Sequence, residues 1–166
     1  MNKTVIDKLQ DSLAPEMKKV DSLMKERMKS DKVSLIEKVA GHLINAGGKR
    51  IRPLLTISSA KLFNYHGENH IKLAAVVEFI HNATLLHDDV VDMSDRRRDK
   101  LTANSVWDNK TSILVGDFLF SRAFKLMIET NSSKILSILA NSSAMISEGE
   151  VLQLSMARNL NTTIET

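Results

Sequence analysis

The run His70-Ile71-Lys72-Leu73-Ala74-Ala75-Val76-Val77-Glu78-Phe79-Ile80-His81-Asn82-Ala83-Thr84-Leu85-Leu86-His87-Asp88-Asp89-Val90-Val91-Asp92 reads as one long helix, apolar on nearly every side until its last turn. Ile71, Ala74, Ala75, Val77, Ile80, Leu85 and Val91 fall around the whole circumference, which predicts a helix buried at the centre of a helical assembly. Its end is crowded with acids, and Ser94 to Lys100 beyond it reads as a polar loop.

The flanking sequence repeats the helical period. Leu9, Leu13, Met17, Val20, Met24 and Met28 predict two short amphipathic helices meeting at Ala14-Pro15, because the residue before a proline disfavours α geometry. Ser30-Asp31 is the expected N-cap of a third helix carrying Val33, Ile36, Val39, Ala40, Leu43 and Ile44, with Gly47-Gly48 as its stop. A fourth starts near Arg52-Pro53, where proline suits a first turn, and is broken by residues 64–69. Two more are expected over residues 111–129 and 132–157, separated by Asn131-Ser132-Ser133.

Composition agrees with this all-α reading. Among 166 residues there are 6 Gly, 2 Pro and only 7 aromatics, so breakers stand at roughly 5% against about 12% in average usage. Cysteine is absent, which removes disulfide scaffolds, thiolate metal sites and cysteine catalysis. Residues 1–10 have no apolar h-region, and the longest uncharged stretch, 135–147, falls short of the ~20 apolar residues of a membrane span. A soluble, cytoplasmic protein is expected. The net charge of +3 favours no partner by itself; what matters is where the charges lie.

They lie in two places. Asp88 and Asp92 are four apart and Asp89 and Asp92 three apart, so on a helix their carboxylates converge. Like charges at this spacing, placed where the macrodipole is already negative, oppose helix stability. A hard divalent cation compensates: Mg²⁺ takes carboxylate oxygens and completes its shell with water and phosphate. The plainer reading is a solvated helix end paired with Arg96, Arg97 and Arg98, but the apolar run leading into the cluster suits a cavity wall better. Guanidinium groups beside these acids fit metal-bridged diphosphate binding. The second place is Gly47-Gly48-Lys49-Arg50-Ile51-Arg52-Pro53, where freed backbone N–H groups, a helix start and Lys49 and Arg52 make an anion site, although the P-loop spacing is absent. Read alone it is a loop with surface charges. Two phosphate sites, one of them metal-assisted, match the needs of an enzyme joining two diphosphates.

Gly47 to Pro53, Glu78 to Asp92, Gly116-Asp117-Phe118-Leu119-Phe120 and Glu148-Gly149-Glu150-Val151-Leu152-Gln153 closely resemble, in this order, the trans-polyprenyl diphosphate synthases, and most of all their long-chain, octaprenyl-type bacterial members, which make quinone side chains. The resemblance runs along essentially the whole chain. It implies an isoprenoid-synthase helical bundle and condensation of isopentenyl diphosphate with an allylic diphosphate such as a farnesyl primer. By resemblance, Asp88 and Asp92 ligate Mg²⁺ bridging to the allylic diphosphate, Asp89 supports them, and Arg97 holds the same diphosphate. Lys49, Arg52, His81 and Arg98, with the backbone of Gly48, hold isopentenyl diphosphate. Without the resemblance, His81 reads as a satisfied core histidine; His87 and Trp107 read as packing. Ala83 occupies the family's chain-length position and Thr84 lies one turn before Asp88; both are small, which implies a medium-to-long product.

Two departures stand out. Asp99 replaces the glycine usual after the arginines, and no second Asp-rich motif occurs before Thr166. Residues 1–166 are therefore expected to be the N-terminal part of a single synthase domain: a truncated bundle, incomplete as a catalyst alone and working as a homodimer or with a complementing C-terminal half. A different reading is a non-catalytic subunit that binds a diphosphate or a synthase partner. A nucleic-acid module is disfavoured, since aromatic platforms are lacking and the interleaved acids repel phosphates.

Overall fold

A computed structural model describes residues 3–157. Its elements in chain order are α1 (Val5–Ser12), α2 (Ala14–Met28), α3 (Ser34–Ile44), α4 (Ile51–Leu62), α5 (Asn69–Val91), β1 (Arg96–Arg97), β2 (Lys100–Leu101), α6 (Ala103–Val106), α7 (Asn109–Ile128) and α8 (Ser133–Met156). The chain divides into two compact units, one up to Thr130 and one from Asn131 onward that contains α8. Among the described residues no helix is long and apolar enough to cross a membrane.

The first unit is built on α5. Phe79, Ala83 and Leu86 of α5 and Leu119, Ala123 and Leu126 of α7 have no exposed surface, and the Ser112 hydroxyl donates to the Leu86 carbonyl where these helices meet. Leu54 and Ile57 of α4 and Val20 and Met24 of α2 complete the core. Each large side chain enclosed in this way contributes on the order of 2 kcal/mol of transfer free energy. The all-α expectation therefore holds, with α5 at the centre.

Local boundaries follow capping chemistry. Helices α1 and α2 meet at Leu13, and Pro15 sits in the first turn of α2, as its missing N–H requires. The third helix begins four residues later than Ser30. Ser30 instead closes a local turn, its hydroxyl accepting from the Val33 N–H while its own N–H donates to Glu37, and extended Val33 precedes the first helical residue. This helix also stops at Ile44, before Gly47-Gly48, because Asn45 already caps it. Ser132 caps α8 through the Ile135 N–H, and Asp108 caps α7 through the Thr111 N–H.

The segment expected as a polar loop is an antiparallel hairpin, with Arg96 opposite Leu101 and Arg97 opposite Lys100. Its two-residue turn, Arg98-Asp99, has both φ angles positive, 51° and 64°, the hand that matches strand twist. The four-residue helix α6 after it was not legible in the hydrophobic pattern.

Candidate functional site

The site is assembled around the end of α5 and the loop before α4. At the end of α5 the chain reverses in a Schellman arrangement. The Ser94 N–H donates to the Asp89 carbonyl, the Met93 N–H to the Val90 carbonyl, and Met93 takes the left-handed conformation, φ 51°. The reversal sends the hairpin back toward α5. Thr102 secures its base, its N–H donating to the Asp95 carbonyl and its hydroxyl to that of Ser94.

The returning hairpin delivers two arginines to different neighbours. Arg97 pairs with Asp89, Nε and Nη2 both donating to Oδ1 at 2.9 and 2.7 Å, and the Asp89 side chain is only 1% exposed. Arg98 lies against Gly48, where a Cβ would fall 2.6 Å from its Nη1. A side chain at Gly48 would displace this guanidinium, and Gly47 suits its φ of +88°.

Across from the hairpin, the loop before α4 is held by a residue the sequence reading did not single out. Arg50 adopts a left-handed conformation at the N-cap of α4 and turns its guanidinium inward, donating to the nearly buried Glu78 carboxylate at 2.6 Å and to the Ile44 carbonyl. A lone acid in the apolar middle of α5 was the available signal, since a carboxylate there needs a partner. The Gln10 side chain adds a hydrogen bond to the Lys49 carbonyl. With Arg50 turned inward, Lys49 and Arg52 remain exposed on either side.

Between loop and hairpin is a cavity of about 360 Å³ lined by Gly48, Lys49, Arg52, His81, Arg97 and Arg98, with Leu43, Leu85 and Asn82 among its walls. His81 is held below the ordinary histidine range by burial first, then by the positive charge of Arg52, with Arg98 and Arg97 adding to it and Glu78 opposing. It is therefore a neutral member of a cationic group near pH 7. Asp89 and Glu78 are each already paired with an arginine, so the charges of Lys49, Arg52 and Arg98 are in excess here and suit a multiply charged anion. The structure thus gathers all six cavity residues named from the sequence, and places Arg97 at the same cavity as the groups expected to hold the other diphosphate.

The acids divide. Asp89 is enclosed, Asp88 half-buried and Asp92 exposed at the C-cap, where its N–H still donates helically to the Asp88 carbonyl at 2.8 Å. Helical geometry is therefore kept through Asp92, and Asp88 and Asp92 share a face. Among the described residues no three His, Asp or Glu side chains form a metal-holding group. The residues present fit a cation that takes one or two carboxylates and fills its shell with water and phosphate, as Mg²⁺ does. Ala83 is wholly enclosed, whereas Thr84 is half-buried and its hydroxyl donates to the His81 carbonyl. His87 packs over Gly116, where a Cβ would displace the ring, and contacts the Ile113 carbonyl at 3.2 Å; Trp107 meets the His42 ring edge-on.

The chain is similar to several known proteins in sequence and in fold. The chain is 45% identical over 149 residues to the octaprenyl diphosphate synthase of Escherichia coli K12, covering 90% of this chain and 46% of that protein. Its structure resembles a decaprenyl diphosphate synthase from Rhodobacter capsulatus with TM-score 0.94 and 56% identity, over 96% of this chain and 49% of that one. A polyprenyl synthase from Caulobacter crescentus, solved with calcium and isoprenyl diphosphate, gives TM-score 0.93 and 51% identity, over 99% and 50%. The chain spans about half the length of the curated relatives it matches. The polyprenyl synthetase family model matches residues 33–166, and the chain belongs to that family.

Proposed function

We propose that this chain supplies the diphosphate-binding and first metal-binding elements of a prenyltransferase that condenses isopentenyl diphosphate with an allylic diphosphate into a medium-to-long polyprenyl diphosphate for quinone side chains. The observation that carries this is the single cavity lined by Gly48, Lys49, Arg52, His81, Arg97 and Arg98 near the carboxylates that end α5. Lys49, Arg52 and Arg98 hold the isopentenyl diphosphate, with His81 donating a hydrogen bond without adding a charge at neutral pH. Arg97 faces the allylic diphosphate and neutralises it as the C–O bond ionises. Asp88 and Asp92 hold Mg²⁺, which supplies further charge neutralisation on the leaving diphosphate. Leu43 and Leu85 give the cavity apolar wall, which favours capture of the allylic cation by the alkene over capture by water. Thr84, half-buried one turn before Asp88, leaves room for the growing chain, whereas the neighbouring chain-length position, Ala83, is wholly enclosed.

The reading includes residues 1–166 as the N-terminal part of one synthase domain, acting as a homodimer or with a complementing C-terminal half. Leu114 and Ile128, 66% and 65% exposed on α7, support association. Incubating the purified chain, with and without the C-terminal half of a homologous synthase, with Mg²⁺, isopentenyl diphosphate and labelled farnesyl diphosphate tests the activity; butanol-extractable label that is abolished by chelator is expected once the complementing half is present. A second reading is a diphosphate-binding partner subunit without turnover, which the exposed Leu114 and Ile128 also suit. It predicts metal-dependent diphosphate binding with no extractable label. Absence of both binding and label would overturn both readings.

A further inference from the structure

We propose that Asp89 is a positioning residue, whose buried carboxylate holds the Arg97 guanidinium in place at the cavity for a diphosphate. This rests on the diphosphate-binding reading above. Three observations carry it. First, Asp89 is 1% exposed while Asp92 on the same turn is exposed, and a cation that keeps several waters reaches the second, not the first. Second, Asp89 Oδ1 already accepts two N–H groups from Arg97, at 2.9 and 2.7 Å. Third, the residue is fixed through its backbone as well: its carbonyl accepts from the Ser94 N–H at 2.9 Å and from Asn104 Nδ2 at 3.4 Å.

The geometry leaves Arg97 usable. A guanidinium has five N–H donors, and this pairing occupies two, so three remain for an anion in the cavity that Arg97 lines. The long side chain loses its rotamer freedom when the hairpin folds rather than when the ligand binds, and affinity rises accordingly. A negative charge beside a diphosphate site thereby favours diphosphate binding, the opposite of what Coulomb repulsion alone would give.

That difference in sign makes the test. Inorganic pyrophosphate is titrated calorimetrically into the full chain, once in EDTA and once in Mg²⁺. Asp89→Asn is expected to weaken binding by about 3–10-fold in both buffers, since a neutral acceptor holds the guanidinium roughly half as strongly. Arg97→Ala should weaken it at least as much, and the double variant no further than Arg97→Ala alone. Asp88→Asn should lose affinity only in Mg²⁺. If Asp89→Asn binds as well as wild type or better in EDTA and loses only in Mg²⁺, Asp89 is a metal ligand and the proposal falls. Additive losses in the double variant overturn it too. Should Asp89→Asn fail to fold, Arg97→Lys keeps the charge but not the paired donors. Its expected loss is again about 3–10-fold in EDTA, and unchanged affinity refutes the proposal. A wild-type chain that binds no pyrophosphate in either buffer overturns the diphosphate reading and this inference together; wild-type binding with Asp89→Asn behaving like Asp88→Asn overturns the inference alone.

Discussion

Arg50 and Glu78 set how the anion loop is held, and they do it with one ion pair whose acid is 8% exposed. Removing either partner strands the other in a poorly solvated position, so Glu78→Ala is expected to cost about 3 kcal/mol, read as a drop in urea midpoint. His81 gives a pH dependence of definite sign. Its folded pKa is lowered from the ordinary 6.5 by burial and then by Arg52, so the folded protein binds its proton less readily than the unfolded chain. The stability it contributes is complete above pH 6.5 and is lost as pH falls through the folded value. A histidine ring titration by NMR should place its midpoint below that of an exposed histidine, and His81→Gln should flatten the acid side of the stability profile. At this scale the types and spacing of Lys49, Arg52, Asp88 and Asp92 were legible because their chemistry follows from residue identity. Which arginine faces inward was not legible, since Arg50, Arg52, Arg97 and Arg98 are identical until the turns that aim them are formed.

At the scale of elements, the end of α5 and the hairpin form one device. The Schellman reversal needs a left-handed residue and has Met93 there; the hairpin turn needs two and has Arg98 and Asp99. Each of these positions favours glycine. Met93→Gly is therefore expected to stabilise the fold by about 0.5–1 kcal/mol, seen as a raised thermal midpoint, and Asp99→Gly by a similar amount. Asp99 replaces the glycine usual in the family, and Asp is among the side chains that best tolerate this conformation, so the turn survives the change. On α5 itself, Ala83→Phe meets packed atoms and should cost about 1–3 kcal/mol in stability. Thr84→Phe falls on a half-buried strip, and in an active synthase should shorten the products, read by chain-length analysis. The helices were legible because the apolar period is strong. The hairpin was not, since two-residue strands of Arg, Lys and Leu carry no alternation and are held by Asp89 and His42 from elsewhere in the chain.

At the scale of the whole molecule, α5 buries one side against α7 and α4 and turns His81 and Leu85 toward the basic cavity, so core and site are two faces of one helix. The stretches that resemble the family fall on both units, with Gly47 to Pro53, Glu78 to Asp92 and Gly116 to Phe120 on the first and Glu148 to Gln153 on the second. If the cavity between the Gly-Gly loop and the hairpin is a diphosphate site, calorimetric titration of isopentenyl diphosphate into the chain, wild type against Arg52→Ala, will register it. Saturable one-site binding, weakened about tenfold or more in the variant and declining as salt rises, is the result predicted. Absence of binding, or an affinity indifferent to Arg52, would contradict it.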